Sequence, residues 1–209
     1  MGMVYYIMAM GGDLVMFIYS KRLIYPVNIR KRDLNLAKLI VTQYGGPYGE
    51  LGAALRYLNQ RYIMPDDRGK ALLTDIGTEE LGHVEMICAM LYQLTKGATI
   101  EELEAAGFTK HYAQHGLGLF PSDVYGNPFN VANIGSTGDP LVDLQENIAA
   151  EAKAQATYEH LMDLTDDPDV LEPLAFLRQR EVVHLARFQE LHDYYQSKFN
   201  SGNTVKSLA

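Results

Sequence analysis

The chain has 209 residues, enough for a single domain with a sizeable core. Apolar residues make up 47% of it and charged residues 21%, as in an ordinary soluble globular protein. Its formal net charge is −8, and no long cluster of Lys and Arg is present, which argues against nucleic-acid binding as its main role. The one cysteine, Cys88, excludes an intrachain disulfide framework and is expected to fill the core.

The N-terminal segment, residues 1–20, is predicted to be an extension outside the native core. Its apolar run is short for a membrane span, which needs about 20 residues, so no membrane association is expected. The basic region of a signal peptide is missing, because the first basic residue is Lys21. We expect Met16 to be the natural start. N-terminal sequencing of native protein that recovered an earlier residue would contradict this expectation.

Four long helices are predicted within residues 21–196 from hydrophobic periodicity and helix-capping residues. They cover residues 34–62, residues 66–96, a third helix starting at Asp139-Pro140 and a fourth starting at Asp167-Pro168. Pro173 delays the expected regular geometry of the fourth helix. A capping box, Thr99 and Glu102, opens a short helix over residues 100–106. Residues 197–209 are predicted to be a flexible tail.

A Gly-rich link, residues 107–138, separates the second and third long helices. The other connections are short, so helices one and two, and helices three and four, are expected to form antiparallel hairpins. A helix of about 30 residues is about 45 Å long, and about 13 extended residues return along it. The link can therefore be a crossover that joins the two hairpins in a four-helix bundle.

Carboxylates fall on the apolar stripe of every long helix when each helix is written at alternating three- and four-residue spacing. The polar residues of interest on these stripes are Glu50, Glu80, His83, Glu151, Glu181 and His184. Within each hairpin the later glutamate follows the earlier one by 30 residues, and a histidine comes three positions after it. The six residues therefore read as two copies of one unit that meet in the bundle core.

Four buried carboxylates need compensation, because each unpaired buried charge costs several kcal/mol or more. Two divalent cations would provide it, and one Glu from each of two helices plus Glu-x-x-His from each of the others is the pattern of di-iron and di-manganese bundles. A single Glu-x-x-His is a weak signal by itself. Buried ion pairs with Arg56, Arg178 or Arg180 are the alternative explanation for one or two of the core glutamates.

Other polar residues receive simpler interpretations. The remaining histidines are expected to face solvent rather than to form an accessory metal site: His111, His115, His160 and His192. Tyr57 lies two turns beyond Glu50 and either hydrogen-bonds a ligand or fills the core; Tyr158 is equally ambiguous. Gly45-Gly46 removes side-chain bulk just before Glu50, which either opens a path for a small substrate or permits a kink with Pro47.

Four stretches carry a family resemblance: residues 44–51 (YGGPYGEL), 56–60 (RYLNQ), 74–87 (TDIGTEELGHVEMI) and 180–184 (REVVH). With them the sequence resembles the manganese catalases, in particular the shorter spore-coat (CotJC) branch, over about residues 19–195. The resemblance implies an all-α fold, a ferritin-like four-helix bundle of two antiparallel hairpins joined by a long crossover.

By the same resemblance two manganese ions per chain are expected, with iron as the alternative metal. The implied metal ligands are Glu50, Glu80, His83, Glu151 and His184, with Glu80 bridging the ions. Glu181 is implied as a proton-transfer group just outside the ligands, and Tyr57 matches a tyrosine that the family places beside them. A helix-compatible residue is expected at position 47, where this chain has Pro47. The resemblance therefore does not determine the backbone conformation near Glu50.

The implied activity is disproportionation of hydrogen peroxide to dioxygen and water. One alternative is a di-iron peroxidase or oxidase, in which Glu181 would be a ligand; another is a structural spore-coat protein whose metals serve folding only. An iron store lacks support in the sequence. The resemblance also implies a homo-oligomer, a hexamer in the family, though this chain ends soon after the fourth helix and the assembly is expected to be smaller or looser. Spore-coat proteins are possible partners, and the expected location is the cytoplasm or the spore coat.

Overall fold

The computed structural model begins with a two-stranded β-hairpin. It describes residues 4–10, 13–19, 22–118 and 120–200. Strands β1 (Val4–Met10) and β2 (Asp13–Tyr19) pair antiparallel, and both are rich in the β-branched and aromatic residues that favour strands. The start at Met16 and the exclusion of residues 1–20 from the native core stay predictions, and residues 1–3, 11–12 and 20 lie outside the described part.

Helices make up the rest of the fold. They are α1 (Leu34–Ile40), α2 (Thr42–Gly45), α3 (Glu50–Gln60), α4 (Asp67–Thr95), α5 (Ile100–Ala105), α6 (Thr109–His115), α7 (Pro140–Met162) and α8 (Pro168–Asn200). Helix α3 packs on α4 and α7 packs on α8, while α4 contacts α8 and α3 contacts α7. The predicted bundle of two hairpins is therefore confirmed. None of the described helices is long and apolar enough to cross a bilayer.

The predicted helix starts are confirmed by their caps. The side chains of Asp66 and Asp139 accept backbone N–H groups at the starts of α4 and α7, and Asp167 does the same for α8. Thr99 and Glu102 form the predicted capping box. Pro173 does not delay α8, which is regular from Pro168 onward, because proline has a helix-compatible φ and removes only one hydrogen bond so near the start.

The prediction of one continuous helix over residues 34–62 was wrong, because the chain leaves helical geometry at residues 46–49. Gly46 is extended, with φ −70° and ψ 171°, and Pro47 has no N–H with which to continue the helical ladder. The helix resumes at Glu50, which therefore lies in the first turn of α3. The break separates α1 and α2 from α3, which carries Glu50.

The apolar core lies in two clusters, one on each side of the polar layer. The predicted stripes of α4 and α8 are wholly buried: Leu73, Ile76, Glu80, His83, Ile87, Met90 and Leu94, with Leu174, Leu177, Glu181, His184, Phe188, Leu191 and Tyr195. The same spacing on the first helix places Leu39 on the buried stripe, and this prediction was wrong. Leu39 is 40% exposed, because α1 buries Leu36, Ala37 and Ile40 instead.

The crossover, residues 107–138, has its own local structure, including α6 and a 3-10 turn at Val131–Asn133. Asp123 organises its centre by accepting the backbone N–H groups of Tyr125 and Asn127. The prediction that His111 faces solvent was wrong, since it is 7% exposed and its ring lies against Phe108 and Phe120. The side chain of His115 lies outside the described part.

Helix α8 continues to Asn200, so residues 197–200, which were assigned to the flexible tail, are helical; residues 201–209 are not described. The last turns are fixed to the N-terminal cap of α4. Tyr195 Oη donates to Asp66 Oδ1 at 2.6 Å and Lys198 Nζ donates to Asp66 Oδ2 at 2.8 Å. These bonds, with the stacking of Tyr195 on Phe199, give the end of the helix partners that the sequence did not reveal.

Candidate metal centre

Six predicted residues meet at mid-height in the bundle, and all of them are buried. They are Glu50, Glu80, His83, Glu151, Glu181 and His184, each no more than 2% exposed. Four helices contribute: α3 supplies the first glutamate from its N-terminal turn, α7 the third from its middle, and α4 and α8 one Glu-x-x-His set each. Their ligand atoms fall into two sets of four that share Glu80 and Glu181.

Glu80 lies between the two histidines. Its Oε2 is 2.6 Å from His83 Nδ1, and its Oε1 is 2.7 Å from His184 Nδ1. The two imidazole rings are nearly parallel, with centroids 5.6 Å apart. One carboxylate thus addresses both halves of the cluster with one oxygen each.

Glu50 and Glu151 occupy the two flanks of this arrangement in matching geometry. Glu50 Oε2 is 3.6 Å from His83 Nδ1, and Glu151 Oε2 is 3.7 Å from His184 Nδ1. The outer oxygen of each carboxylate accepts a tyrosine hydroxyl: Tyr57 donates to Glu151, and Tyr158 donates to Glu50. Each tyrosine therefore holds the glutamate of the opposite hairpin.

The matched contacts follow a repeat within the sequence. The pairs Glu50 and Glu151, Glu80 and Glu181, His83 and His184, and Tyr57 and Tyr158 each differ by 101 in residue number. The sequence allowed two roles for Tyr57, a hydrogen bond to a ligand or packing in the core. Its hydroxyl does contact the cluster, at Glu151. Tyr158 makes the equivalent contact, and its place seven residues after Glu151, as Tyr57 is seven after Glu50, is the signal that could have identified it.

Glu79 is a further polar residue of the site that the helical stripe did not predict. Its Oε2 is 3.2 Å from His184 Nε2, and its Oε1 is 3.7 Å from His83 Nε2. Arg180 holds the same carboxylate from the other side, with its Nε 2.6 Å from Oε1. The Nδ1 atoms of both histidines are consequently directed at the cluster, while their Nε2 atoms face Glu79.

Two of the three arginines in the alternative explanation for the core glutamates, Arg178 and Arg180, form their ion pairs elsewhere. Arg180 pairs with Glu79 and Arg178 with Glu159, so neither of these guanidinium groups forms its ion pair with a glutamate of the cluster.

Burial and mutual repulsion dominate the electrostatics of the site. Burial raises the pKa of the Glu50 carboxyl to about 7. Burial, followed by the charges of Glu80, Glu50 and Glu151, raises the pKa of Glu181 well above its usual range. Burial alone would also raise the pKa of Glu80, but the two adjacent imidazoles, His83 and His184, hold that pKa below its usual range.

The imidazoles respond in the opposite direction. Burial opposes the charged form of His184, but the adjacent carboxylates of Glu151, Glu79 and Glu80 raise its pKa to about 11. The carboxylates around His83 raise its pKa as well, again against the effect of burial. The raised pKa values of the imidazoles and of Glu181 favour bound protons, which offset part of the negative charge of the carboxylates.

The residues fit a pair of bound cations. Several buried oxygens, Glu80 Oε1, Glu151 Oε2 and Glu181 Oε1 among them, accept no hydrogen bond within the described part of the chain. Unsatisfied carboxylate oxygens are costly in a dry core, and a divalent cation in place of the protons would satisfy them. Imidazole nitrogen and carboxylate oxygen together suit manganese or iron, so the ligands do not by themselves select between these metals.

The other polar predictions had mixed outcomes. His160 is exposed, as expected. The expectation for His192 was wrong: it is 7% exposed, because α8 turns its ring toward α7, where Nε2 is 3.3 Å from Gln145 Nε2. Cys88 is half-buried beside Tyr44, away from the cluster.

The sequence is similar to known proteins over most of its length. The sequence profile of the family described as "Manganese containing catalase" matches residues 16–201. Protein CotJC of Bacillus subtilis (strain 168) is 54% identical over 175 residues, which cover 84% of this chain and 92% of that protein. A manganese catalase of Bacillus subtilis is 34% identical over 193 residues, covering 84% of this chain and 71% of the relative.

A solved structure shares the fold. Wild-type KatB, a manganese catalase from Anabaena, superposes with a TM-score of 0.79 at 35% sequence identity, covering 87% of this chain and 81% of that one. The family profile, the identity to relatives and the fold agree, and the chain belongs to the manganese catalase family, with a ferritin-like helical bundle.

Proposed function

We propose that this chain disproportionates hydrogen peroxide to dioxygen and water at a pair of manganese ions. The observation that carries the proposal is the buried cluster of two matched Glu and His sets that share Glu80, in a chain of the manganese catalase family. Manganese rather than iron is preferred on family membership, since the ligand types suit both.

Five residues are proposed to hold the ions. Glu50 and His83 would bind one, Glu151 and His184 the other, and Glu80 would bind both through its two oxygens. The distances from Glu80 to the two imidazoles, 2.6 and 2.7 Å, support the bridging role. The manganese pair would supply the two-electron redox change that peroxide reduction and peroxide oxidation both require.

Glu181 is proposed to hold and move the peroxide proton. Burial and the three nearby carboxylates raise the pKa of its side chain well above the usual range, so that it can carry a proton near neutral pH. Its Oε1 lies 3.5 Å from His83 Nδ1 and accepts no hydrogen bond within the described residues. A carboxyl group with that freedom can take a proton from one oxygen of the substrate and return it to another.

The surrounding residues would keep the ligands in place. The Glu79 carboxylate lies on the Nε2 side of both imidazoles, which leaves Nδ1 as the nitrogen available to a metal. Tyr57 and Tyr158 hold the outer oxygens of Glu151 and Glu50, so that the inner oxygens face the cluster. These roles need no movement of the backbone, because every residue involved lies on a helix of the bundle.

Two alternatives rest on particular observations. Glu181 lies in both groups of potential ligand atoms, as a symmetric di-iron peroxidase or oxidase would require. The 54% identity to CotJC instead favours a spore-coat protein, located in the coat and bound to other coat proteins, whose metals serve folding. A homo-oligomer, hexameric or smaller, and a cytoplasmic location remain part of the catalase proposal.

Oxygen evolution from hydrogen peroxide tests the proposal, with manganese and iron quantified in the same sample. Rapid oxygen release by protein with about two manganese per chain, lost in Glu80→Ala, is the expected result. Two irons with peroxide consumed but no oxygen would favour the di-iron alternative. Bound metal without any peroxide turnover would favour the structural one.

A further inference from the structure

A narrow pocket leads from the protein surface to the carboxylate side of the cluster. It lies between α3 and α7, and its inner wall contains Glu50, Glu151 and Glu181. Tyr48, which is 49% exposed, lines its outer end. Neither histidine of the cluster lines this pocket. A larger cavity of about 300 Å³, next to His111 in the crossover, contains no residue of the cluster.

Small side chains line the pocket in matched pairs. Gly49 and Ala150, and likewise Ala53 and Ala154, differ by 101 in residue number, the same spacing as the matched ligands. The pocket therefore lies where the two hairpins face each other through equivalent positions. Ala150 and Ala154 are each 7% exposed, so a larger side chain at either would have to extend into the pocket or displace a neighbour.

The break between α2 and α3 forms the other wall, and close contacts hold it in place. A Cβ atom on Gly45 would lie 2.3 Å from the backbone nitrogen of Ser122 in the crossover, and one on Gly46 would lie 2.4 Å from Thr42 O. Neither position has room for a side chain unless the backbone shifts. The segment that follows, Pro47 to Gly49, lines the pocket.

One pair of side chains meets beside the outer end of the pocket. Lys153 Nζ of α7 lies 4.7 Å from the centre of the Tyr48 ring, a cation–π contact between α7 and the break before α3. Both side chains are partly exposed, and the ammonium group also lies 4.0 Å from Glu146. This contact can open without disturbing the buried core.

We propose that substrate reaches the cluster through this pocket, and that Ala150 and Ala154 with the Tyr48–Lys153 pair limit it to molecules as slender as hydrogen peroxide. Linear small anions such as azide would pass, whereas hydroperoxides with an organic substituent would not. The inference rests on the proposed metal centre and adds the substrate class that the centre accepts. Tyr48, Ala150 and Ala154 act as specificity-determining residues that leave the ligand set untouched.

Azide binding to the manganese-loaded protein tests the inference with a readout that does not depend on turnover. Ala154→Leu places a branched side chain in the pocket, and azide affinity or its association rate should fall at least about tenfold with metal content unchanged. The control is Ala152→Leu, at an exposed position on the same helix, which should bind azide as the wild type does. Unchanged azide binding in Ala154→Leu with full metal content would overturn the proposal.

If Ala154→Leu lowers the metal content, a second variant, Tyr48→Ala, tests the proposed access path. Tyr48→Ala removes an exposed ring from the mouth, so it should speed azide association and admit tert-butyl hydroperoxide, which the wild type should exclude. An unchanged azide rate and continued exclusion of the bulky peroxide would overturn the proposal. If azide binding follows these expectations but no variant evolves oxygen from hydrogen peroxide, the catalase proposal fails and the access path stands.

Discussion

The hairpin of α3 with α4 and the hairpin of α7 with α8 carry equivalent glutamates and histidines on different backbones. Glu50 lies in the first turn of a helix that begins after a break, whereas Glu151 lies in the middle of a continuous helix. Glu79 in the first hairpin corresponds to Arg180 in the second, and the two form an ion pair beside the histidines. Matched positions thus build the buried cluster, while the unmatched pair of Glu79 and Arg180 lies on the outer side of the imidazoles.

Removal of the shared ligand should have the largest effect. Glu80→Ala leaves each half without its common carboxylate, so both metals should be lost and oxygen evolution should fall more than about a hundredfold. Glu50→Ala removes a ligand from one half, and about one metal per chain should remain. Metal analysis after dialysis measures both variants. Retention of two metals in Glu80→Ala would show that the halves do not share this residue.

The equivalent of Glu80 in the second hairpin should behave differently. Glu181→Gln keeps the shape of the side chain but cannot exchange a proton, so kcat should fall by about 10²–10⁴ with both metals retained. Metal content and steady-state oxygen evolution measure this together. Loss of metal would instead make Glu181 a ligand, and full turnover would remove its proton-transfer role.

The unmatched pair outside the ligands offers the next comparison. Glu79→Gln weakens the contact with both imidazoles, and manganese affinity should fall by about 10- to 100-fold in a competition with a chelator. Arg180→Gln leaves the Glu79 carboxylate beside both imidazoles and should cost less. An equal or larger loss in the arginine variant would mean that Arg180 acts on the site directly.

Protonation should make the metal-free and metal-loaded forms respond oppositely to pH. The pKa of Glu50 is raised from 4.5 to about 7, and that of Glu181 is raised too, so the metal-free native state binds more protons than the unfolded chain above pH 4.5. The pKa of His184, raised from 6.5 to about 11, extends this excess to higher pH. Stability of the metal-free protein should therefore fall as the pH rises from 5 to 8.

Thermal unfolding at several pH values measures this effect. The pKa shift of Glu50 alone corresponds to about 3 kcal/mol, so the Tm of the metal-free protein should drop by at least about 5 °C between pH 5 and 8. Bound metals replace the protons, and the loaded protein should hold or raise its Tm over the same range. Parallel curves for the two forms would contradict the proposed exchange of protons for metal.

The two tyrosines should give the smallest and most symmetric effects. Tyr57→Phe and Tyr158→Phe each remove one hydroxyl from a carboxylate of the opposite hairpin, and each should weaken manganese binding about five- to tenfold. Tyr195→Phe is the control, because Tyr195 is also a buried residue but its hydroxyl bonds Asp66 instead. A loss confined to Tyr57→Phe would show that only one half depends on such a bond.

Much of this arrangement was predictable because it follows helical periodicity. The wholly buried stripes of α4 and α8, with Glu80, His83, Glu181 and His184 on them, result from regular helices packing through one face. The caps at Asp66 and elsewhere are local signals that act within one turn. Buried stripes and helix caps can both be read from the sequence, because each depends on residues only a few positions apart.

Features that depend on distant contacts were not predictable. Glu79 lies beside the buried stripe rather than on it, and its role requires Arg180, 101 residues later. Gly45, just before the helix break, packs against Pro121 and Ser122 of the crossover, and the burial of His111 and His192 depends on elements far along the chain. Local periodicity contains no information about such partners.

Anomalous diffraction from crystals of the metal-loaded protein, recorded on both sides of the manganese edge, tests the central claim most directly. Two peaks about 3.5–4 Å apart are predicted, with Glu80 between them, one beside His83 and Glu50 and the other beside His184 and Glu151. A single peak, peaks that appear only at the iron edge, or density away from these six side chains would contradict the shared dinuclear manganese centre.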